Sequence, residues 1–348
     1  MAKIALIPGD GIGSDVTREA AKVLRCMSQK HGFPLELKGW DLGAERYLRT
    51  GIAVTDEEMS ELARYDAIFL GAMGDARVPD NAHARQILLG MRFRFDLFIN
   101  LRPVRLLDER FTPLKNVKEE DVDMVIFREN TEGLYVGVGG QFKRGTEDEI
   151  AVEQDVNTRK GVERIIRAAF EYARANKRKK VTLTDKANAM QHAGELWRRV
   201  FKSVGAEYGE IEKNAVYVDA LALDMVRRPA AYDVIVAPNL FGDILSDLAA
   251  ALVGGLGLAP SANLHPGKPG LFEPVHGSAP DLVGTGNANP LAAILTAGLM
   301  LQQLGHADLN VLIENAVQAA LRAGKTTPDL GGTLKCTDVG DWICEQLS

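Results

Sequence analysis

The sequence predicts an α/β chain with largely parallel strands. Three observations carry this: short apolar runs bounded by turn residues recur along the chain, helical periodicity fills the intervals, and the composition is that of an ordinary globular enzyme. The 348 residues are 46% hydrophobic, 25% charged and 6% aromatic, which excludes disordered, collagen-like and repeat classes. That length suits two domains, or one large sheet shared between two lobes.

The pattern predicts strands over 4–7, 35–40, 67–70, 97–101, 124–127, 181–183 and 234–237. Helices are expected over 15–30, 55–64, 82–94, 158–176, 189–204, 220–228 and 242–253. Three more, over 290–304, 309–323 and 337–347, make the C-terminal third mostly helical. Residues 1–8 run straight into Gly9-Asp10-Gly11 and read as a first strand rather than a signal peptide. With no apolar run of about 18 residues to span a membrane, the expected location is the cytoplasm. The glycine-containing stretch 135–155 breaks the rhythm. It reads either as a surface hairpin or as an arm gripping a second subunit.

Lys and Arg number 41 against 47 Asp and Glu, a net charge of −6, which argues against a nucleic-acid partner. The one basic run, Lys177-Arg178-Lys179-Lys180, reads as a solvated turn between a helix and a strand. Cys26, Cys336 and Cys344 are odd in number and lack metal-ligand spacing, so free thiols in a reducing compartment are expected.

Pro8-Gly9-Asp10-Gly11-Ile12-Gly13 follows a strand and opens a helix, but its glycines are spaced G-x-G-x-G. The Rossmann turn would need a glycine at position 14, where Ser14 stands. A turn admitting another backbone and a cofactor loop both fit. Asp243 and Asp247 are four apart and share one helix face. They are either solvated carboxylates near a helix start or ligands of a hard divalent cation, Mg2+ or Mn2+, with Asp219 completing the set.

Arg92, Arg102 and Arg128 stand near strand ends and suit a substrate with more than one carboxylate, although single arginines are usually surface ion pairs. Tyr135 and Lys186 are the candidate proton carriers if a site shifts their pKa; either alone could be structural. The loop His276-Gly277-Ser278-Ala279-Pro280-Asp281 and the following Gly284, Gly286 and Asn289 lead into a helix, as phosphate-binding loops do. A plain loop fits too. A carboxylate at Asp281 would bind a ribose diol and repel a 2′-phosphate, favouring NAD over NADP.

With these residues in place, nearly the whole chain resembles the β-decarboxylating dehydrogenases, which act on isopropylmalate, homoisocitrate, isocitrate and tartrate or malate. The motifs are Ile7-Pro8-Gly9-Asp10-Gly11-Ile12-Gly13, Asn100-Leu101-Arg102-Pro103, Arg128-Glu129-Asn130-Thr131-Glu132-Gly133-Leu134-Tyr135, Lys186-Ala187-Asn188, the run from Asn239 to Asp247, and the run from Glu273 to Asn289. The resemblance implies a non-Rossmann isopropylmalate/isocitrate dehydrogenase-like fold of two domains sharing a sheet, with the active site in the cleft. One domain, 1–99 and 253–348, would be built from both chain ends and bind the cofactor. The other, 100–252, would carry a dimer arm over about 136–155.

It further implies a homodimer in which Lys186 and Asp219 enter the partner's site. Asp243, Asp247 and that Asp219 would hold Mg2+ or Mn2+, Lys186 would be the base, and Tyr135 would protonate the enol carbon. Arg92, Arg102 and Arg128 would bind the substrate's carboxylates. Ile12 would lie near the nicotinamide of NAD, and His276, Gly277, Ser278, Ala279, Asp281, Leu282 and Asn289 would carry its adenosine and pyrophosphate. In such enzymes the helix before Arg92 reads the C3 substituent. Here Ile87, Leu88 and Leu89 offer an apolar wall suited to an isopropyl group, unless they are a core-facing stripe. That wall implies (2R,3S)-3-isopropylmalate as substrate in leucine biosynthesis, with tartrate or D-malate next and homoisocitrate or isocitrate behind. A non-catalytic, regulatory member would be expected to lose a proton carrier or metal ligand, and this chain keeps them all.

Overall fold

The computed structural model describes residues 1–347. In chain order the strands are β1 (Ala2–Gly9), β2 (Leu35–Gly39), β3 (Ala67–Ala72), β4 (Ile99–Arg105), β5 (Asp123–Glu129), β6 (Gly139–Phe142), β7 (Ile150–Glu153), β8 (Lys180–Asp185), β9 (Glu212–Tyr217), β10 (Val234–Ala237), β11 (Pro260–Leu264) and β12 (Gly270–Pro274). They fall into two compact units, one of Met1–Leu97, Arg105–Glu120 and Ala250–Ser348, the other of Phe98–Val104 and Asp121–Ala249.

In the unit built from the chain ends the strand order is β2-β1-β3-β12-β11. β1 pairs parallel with β2 and β3, β3 with β12 likewise, and β12 pairs antiparallel with β11. Alternation along the central strands sends Ala5, Ile7, Ile68 and Leu70 to one side, where they pack with Met59, Leu62, Ile87 and Met91. The helices Gly13–His31, Leu291–Gln303, Ala307–Arg322 and Cys336–Gln346 pack with one another. Leu291–Gln303 is apolar around its whole circumference, as a helix enclosed by others must be, and every residue from Leu291 to Leu301 is buried.

Residues 105–120 join this unit, whereas the sequence reading kept them in the central one. Polar contacts to Ala307–Arg322 explain the placement: Arg105 to Glu314 at 2.8 Å, Gln318 to the Leu107 carbonyl at 3.0 Å, and Arg110 to the Leu321 carbonyl at 2.7 Å.

The central unit has the order β4-β5-β10-β8-β9, and β5, β10, β8 and β9 run parallel. The helices Arg159–Ala175 and Gln191–Gly205 bury apolar faces against it, with Phe170, Trp197 and Val200 among the enclosed side chains. Stretch 135–155 contains an antiparallel hairpin of β6 and β7.

Four elements escaped the pattern. β9 (Glu-Lys-Asn-Ala-Val-Tyr) is a polar edge strand with little apolar alternation, and β11 and β12 begin or end on proline. The helix Ala44–Thr50 has only seven residues. The single helix expected over 82–94 is three pieces: Ala82–Ala84, a π-helical turn Arg85–Leu89, and Gly90–Arg94. The Gly90 N–H reaches back five residues to the Arg85 carbonyl, the signature of an extra residue in the turn.

Candidate active site

The central unit gathers most of the candidate ionic groups near Asn239–Leu252, the helix that follows β10. This helix approaches β5 so closely that a Cβ at Gly242 would lie 2.6 Å from the Arg128 Cβ, so only glycine fits there. The approach brings Arg128, 2% exposed, into contact with Asp243. Its guanidinium ion-pairs with the Asp243 carboxylate, its Nε donates to Asn239 Oδ1 at 2.9 Å, and its plane lies 5.0 Å from the Tyr135 ring centre. The Tyr135 hydroxyl donates to the other Asp243 oxygen at 2.5 Å. Burial, and then the Asp243 carboxylate accepting that hydrogen bond, raise the Tyr135 pKa, while Arg128 pulls it down. The phenol therefore stays protonated at neutral pH, as a proton donor must.

Arg102 lies beside the same helix. Its Nη1 donates to Ser246 at 2.7 Å and approaches Asp247 at 3.4 Å, its Nη2 stands 3.7 Å from Asp243, and its Nε donates to Asn100 at 2.8 Å. The two carboxylates four residues apart are thus offset by two guanidinium groups. Burial, followed after the opposing pull of Arg102 by the Asp243 charge, raises the Asp247 pKa. A helix face that presents two carboxylates has the hard oxygen-donor chemistry that Mg2+ or Mn2+ takes. Asp219 is not part of this cluster of contacts: it accepts from Lys186 Nζ at 2.6 Å, which lowers its pKa. No group of three metal-binding side chains comes together among the described residues.

The residues that hold these groups stood in the quoted motifs without an assigned role. Asn239 accepts from Arg128 and donates to the Glu132 carbonyl at 2.9 Å, tying the arginine to the turn before Tyr135. Buried Glu129 accepts from the Thr131 and Glu132 amides and the Thr131 hydroxyl, which fixes that turn. Burial nonetheless raises its pKa. Asn100 also carried a spacing signal, since two residues before Arg102 on a strand means the same sheet face.

The other candidates belong to the unit built from the chain ends. Arg92, buried in Gly90–Arg94, donates to Glu273 at 2.9 Å, and Glu273 also accepts from Asn263 at 2.9 Å. The buried Nε of Arg92 has no hydrogen-bond partner, which leaves it able to donate to an added acceptor. Ile87 belongs wholly to the core and Leu88 packs partly against it, so the apolar wall narrows to Leu89 and the remaining surface of Leu88.

Gly11, at φ +56°, lets the N-terminal turn meet the second glycine-rich loop: a Cβ there would sit 2.1 Å from the Ser278 carbonyl oxygen, which accepts the Ile12 N–H at 2.9 Å. The motif without Rossmann spacing is thus a turn admitting another backbone. In that second loop His276 Nε2 is buried without a partner, burial lowers the imidazole pKa, and the space over Gly277 is open. An orphan ring nitrogen beside an open glycine fits a flat heteroaromatic group. Gly277 and Asp281 are exposed, and Ser278, Ala279 and Leu282 are half-buried. Asn289 donates its amide to Asp329 at 2.9 Å, and its oxygen accepts the N–H of Leu291, the first residue of the next helix, at 3.0 Å.

The sequence pattern of the family described as isocitrate/isopropylmalate dehydrogenase matches residues 3–343. A 3-isopropylmalate dehydrogenase of Thermobifida fusca is 47% identical over 99% of this chain and 98% of the relative, and one of Streptomyces coelicolor is 46% identical over 97% and 98%. Among solved structures, an isocitrate dehydrogenase of Methylococcus capsulatus is 38% identical with a TM-score of 0.90, covering 100% of this chain and 99% of that one. A β-decarboxylating dehydrogenase of Thermococcus kodakarensis in its apo form is 35% identical with a TM-score of 0.83, covering 100% and 96%.

Proposed function

This chain belongs to the isocitrate/isopropylmalate dehydrogenase family, and from that premise we propose an NAD-dependent, metal-assisted oxidative decarboxylation of (2R,3S)-3-isopropylmalate to 2-oxoisocaproate and CO2, the reaction of leucine biosynthesis. The observation that carries the reading is the contact among Arg128, Asp243 and Tyr135, which sets a protonated phenol against a carboxylate compensated by a buried guanidinium.

In the proposed chemistry Lys186 removes the proton of the 2-hydroxyl, and Tyr135 delivers one to the carbon that loses CO2. The two transfers balance, so the net change is a hydride moved and one CO2 released. Arg92, Arg102 and Arg128 bind the substrate's carboxylates, and the orphan Nε of Arg92 gains its missing acceptor. NAD, when bound, would supply the hydride acceptor, and Asp243 and Asp247, with Asp219 contributed by a second copy, would hold Mg2+ or Mn2+, which would supply Lewis acidity for the oxidation and the decarboxylation. Lys186 and Asp219 are paired with each other, consistent with both being delivered together to a partner's site in a homodimer. Leu88 and Leu89 favour an apolar C3 substituent.

The test is formation of reduced nicotinamide by the purified protein with NAD and Mn2+, comparing 3-isopropylmalate, D-malate, tartrate, homoisocitrate and isocitrate. A kcat/KM at least tenfold higher for 3-isopropylmalate, about 1.4 kcal/mol of transition-state discrimination, is the expected result. Preference for D-malate or tartrate would reassign Leu88 and Leu89 to packing, and no turnover with any of the five would leave a ligand-binding, non-catalytic protein.

A further inference from the structure

The Gly9–Gly13 turn is secured by a carboxylate whose partner stood outside every motif. Asp10 is 6% exposed. Its Oδ1 accepts the Ala44 N–H at 2.6 Å, and its Oδ2 accepts both the Gly74 N–H at 2.8 Å and His83 Nε2 at 2.7 Å. Its own N–H donates to the Ala72 carbonyl at 2.8 Å, and the Ile12 amide two residues on reaches the Ser278 carbonyl. His83 is 0% exposed, with its ring 6.0 Å from that of Tyr47. Its buried Nδ1 has no partner, so the tautomer with the proton on Nε2 fits the site. His83 lies in Ala82–Ala84, which continues through the π-helical turn to Arg92.

A carboxylate withdrawn from water needs donors to replace its hydration, and an apolar pair of similar volume would pack with less desolvation. Here the carboxylate joins four separate stretches: the first turn, the start of Ala44–Thr50, the Gly74 loop and the segment leading to Arg92. Two backbone amides cannot adjust their position without moving those stretches. His83 is the one donor contributed by a side chain, and the one a substitution can remove.

We infer that His83 is a positioning residue for dinucleotide binding: through Asp10 it fixes the Gly9–Gly13 turn, and through Ile12 the Ser278 loop, to the segment that carries Arg92. The inference rests on the proposal above that these two loops hold NAD. Tyr135 and Lys186, the proposed proton carriers, belong to the other compact unit, so loss of the His83 donor acts on cofactor affinity and leaves the chemical step nearly unchanged.

The experiment compares His83→Leu and His83→Gln with the wild type in three readouts: the Kd for NADH from nicotinamide fluorescence without substrate, KM for NAD against kcat, and Tm. His83→Leu is expected to raise both Kd and KM about tenfold, the scale of a lost hydrogen bond to a charge, with kcat within about twofold. His83→Gln, whose amide can replace the Nε2–H donor, is expected to restore both to within about threefold. Wild-type Kd and KM in His83→Leu would overturn the inference whatever happens to Tm, and so would a glutamine variant no better than leucine. If His83→Leu does not fold, His83→Asn, with an amide too short to span to Asp10, replaces it. Failure of both to fold would assign the pair to stability and overturn the inference. Wild-type protein that binds no NADH would instead remove the cofactor reading on which it rests.

Discussion

Two regions of the central unit treat their difficult groups in opposite ways. Around Asn239–Leu252 the charges are matched internally, with Arg128 on Asp243, Arg102 near Asp247 and Tyr135 closing onto Asp243. In the hairpin of β6 and β7 one exposed ion pair, Lys143 with Asp148 at 3.1 Å, sits at the tip, while Phe142, Ile150 and Val152 are 64%, 51% and 48% exposed on a separate two-stranded sheet. A lone hairpin is marginal in water, and exposed apolar side chains on it call for cover. The polar region finds its partners within the unit, whereas the apolar one leaves its side chains exposed.

The largest effect is expected from removing a proposed chemical group, at Asp243 in the polar region or at Lys186 outside it. Lys186→Ala or Asp243→Asn should lower kcat by about a thousandfold or more while circular dichroism reports an intact fold. Full activity in either would remove its assigned role.

Breaking the apolar region should come next. On the proposed homodimer, with the hairpin as its arm, Phe142→Asp combined with Ile150→Asp is expected to halve the mass seen by light scattering and to remove turnover with it, because Lys186 would no longer reach a partner's site. The sharing can be sharpened by mixing Lys186→Ala with Tyr135→Phe subunits. If each site draws its lysine from the other chain, random exchange should restore about one quarter of wild-type activity, since half the dimers would hold one intact site. No recovery would place both residues in a site of one chain.

Arg128→Met separates stability from catalysis. Removing one member of a buried ion pair costs about 3–5 kcal/mol, but Asp243 is 34% exposed and water can take over part of the arginine's role, so roughly 2 kcal/mol is expected in urea unfolding.

The smallest effect concerns Asp247, whose side chain is 60% exposed. Its folded-state pKa lies above the ordinary 3.8, so the native state holds the proton longer than the unfolded chain does. Wild-type stability therefore falls as pH rises from about 3.8 through the folded-state value, and Asp247→Asn escapes that loss. Screening by solvent keeps the gain near 1 °C in Tm at neutral pH without metal. The same variant should lose most of the rise in Tm that Mn2+ gives the wild type, which thermal melts with and without the ion would show.

The contrast between the two regions also explains what could be read from the sequence. Most major helices and the inner strands announce themselves, because burial imposes a period on Arg159–Ala175 or β3 that any sequence must obey. Charged residues declare their type but not their partners. Arg128 and Asp243 are 115 positions apart, and only the closure of the helix on β5 at Gly242 brings them together. Asp10 and His83 stayed hidden for the same reason, one as an ordinary turn residue and the other as a lone histidine in a helix. The hairpin was visible as an interruption, but its purpose was not, since exposed apolar groups gain meaning only from what covers them. Residues 105–120 were misplaced because side-chain-to-carbonyl contacts leave no period to detect.

The extra residue in Arg85–Leu89 has a bearing on how this chain is aligned with others. Each residue turns an α-helix by about 100°, so a relative without the insertion would present a different face at every position upstream of it. Gaps opened elsewhere in the loop would then equate side chains that point in unlike directions. Positions proposed to read the substrate are best numbered backwards from Arg92, and those that anchor the turn forwards from Asp10. The π-helical turn is the place where the two counts meet.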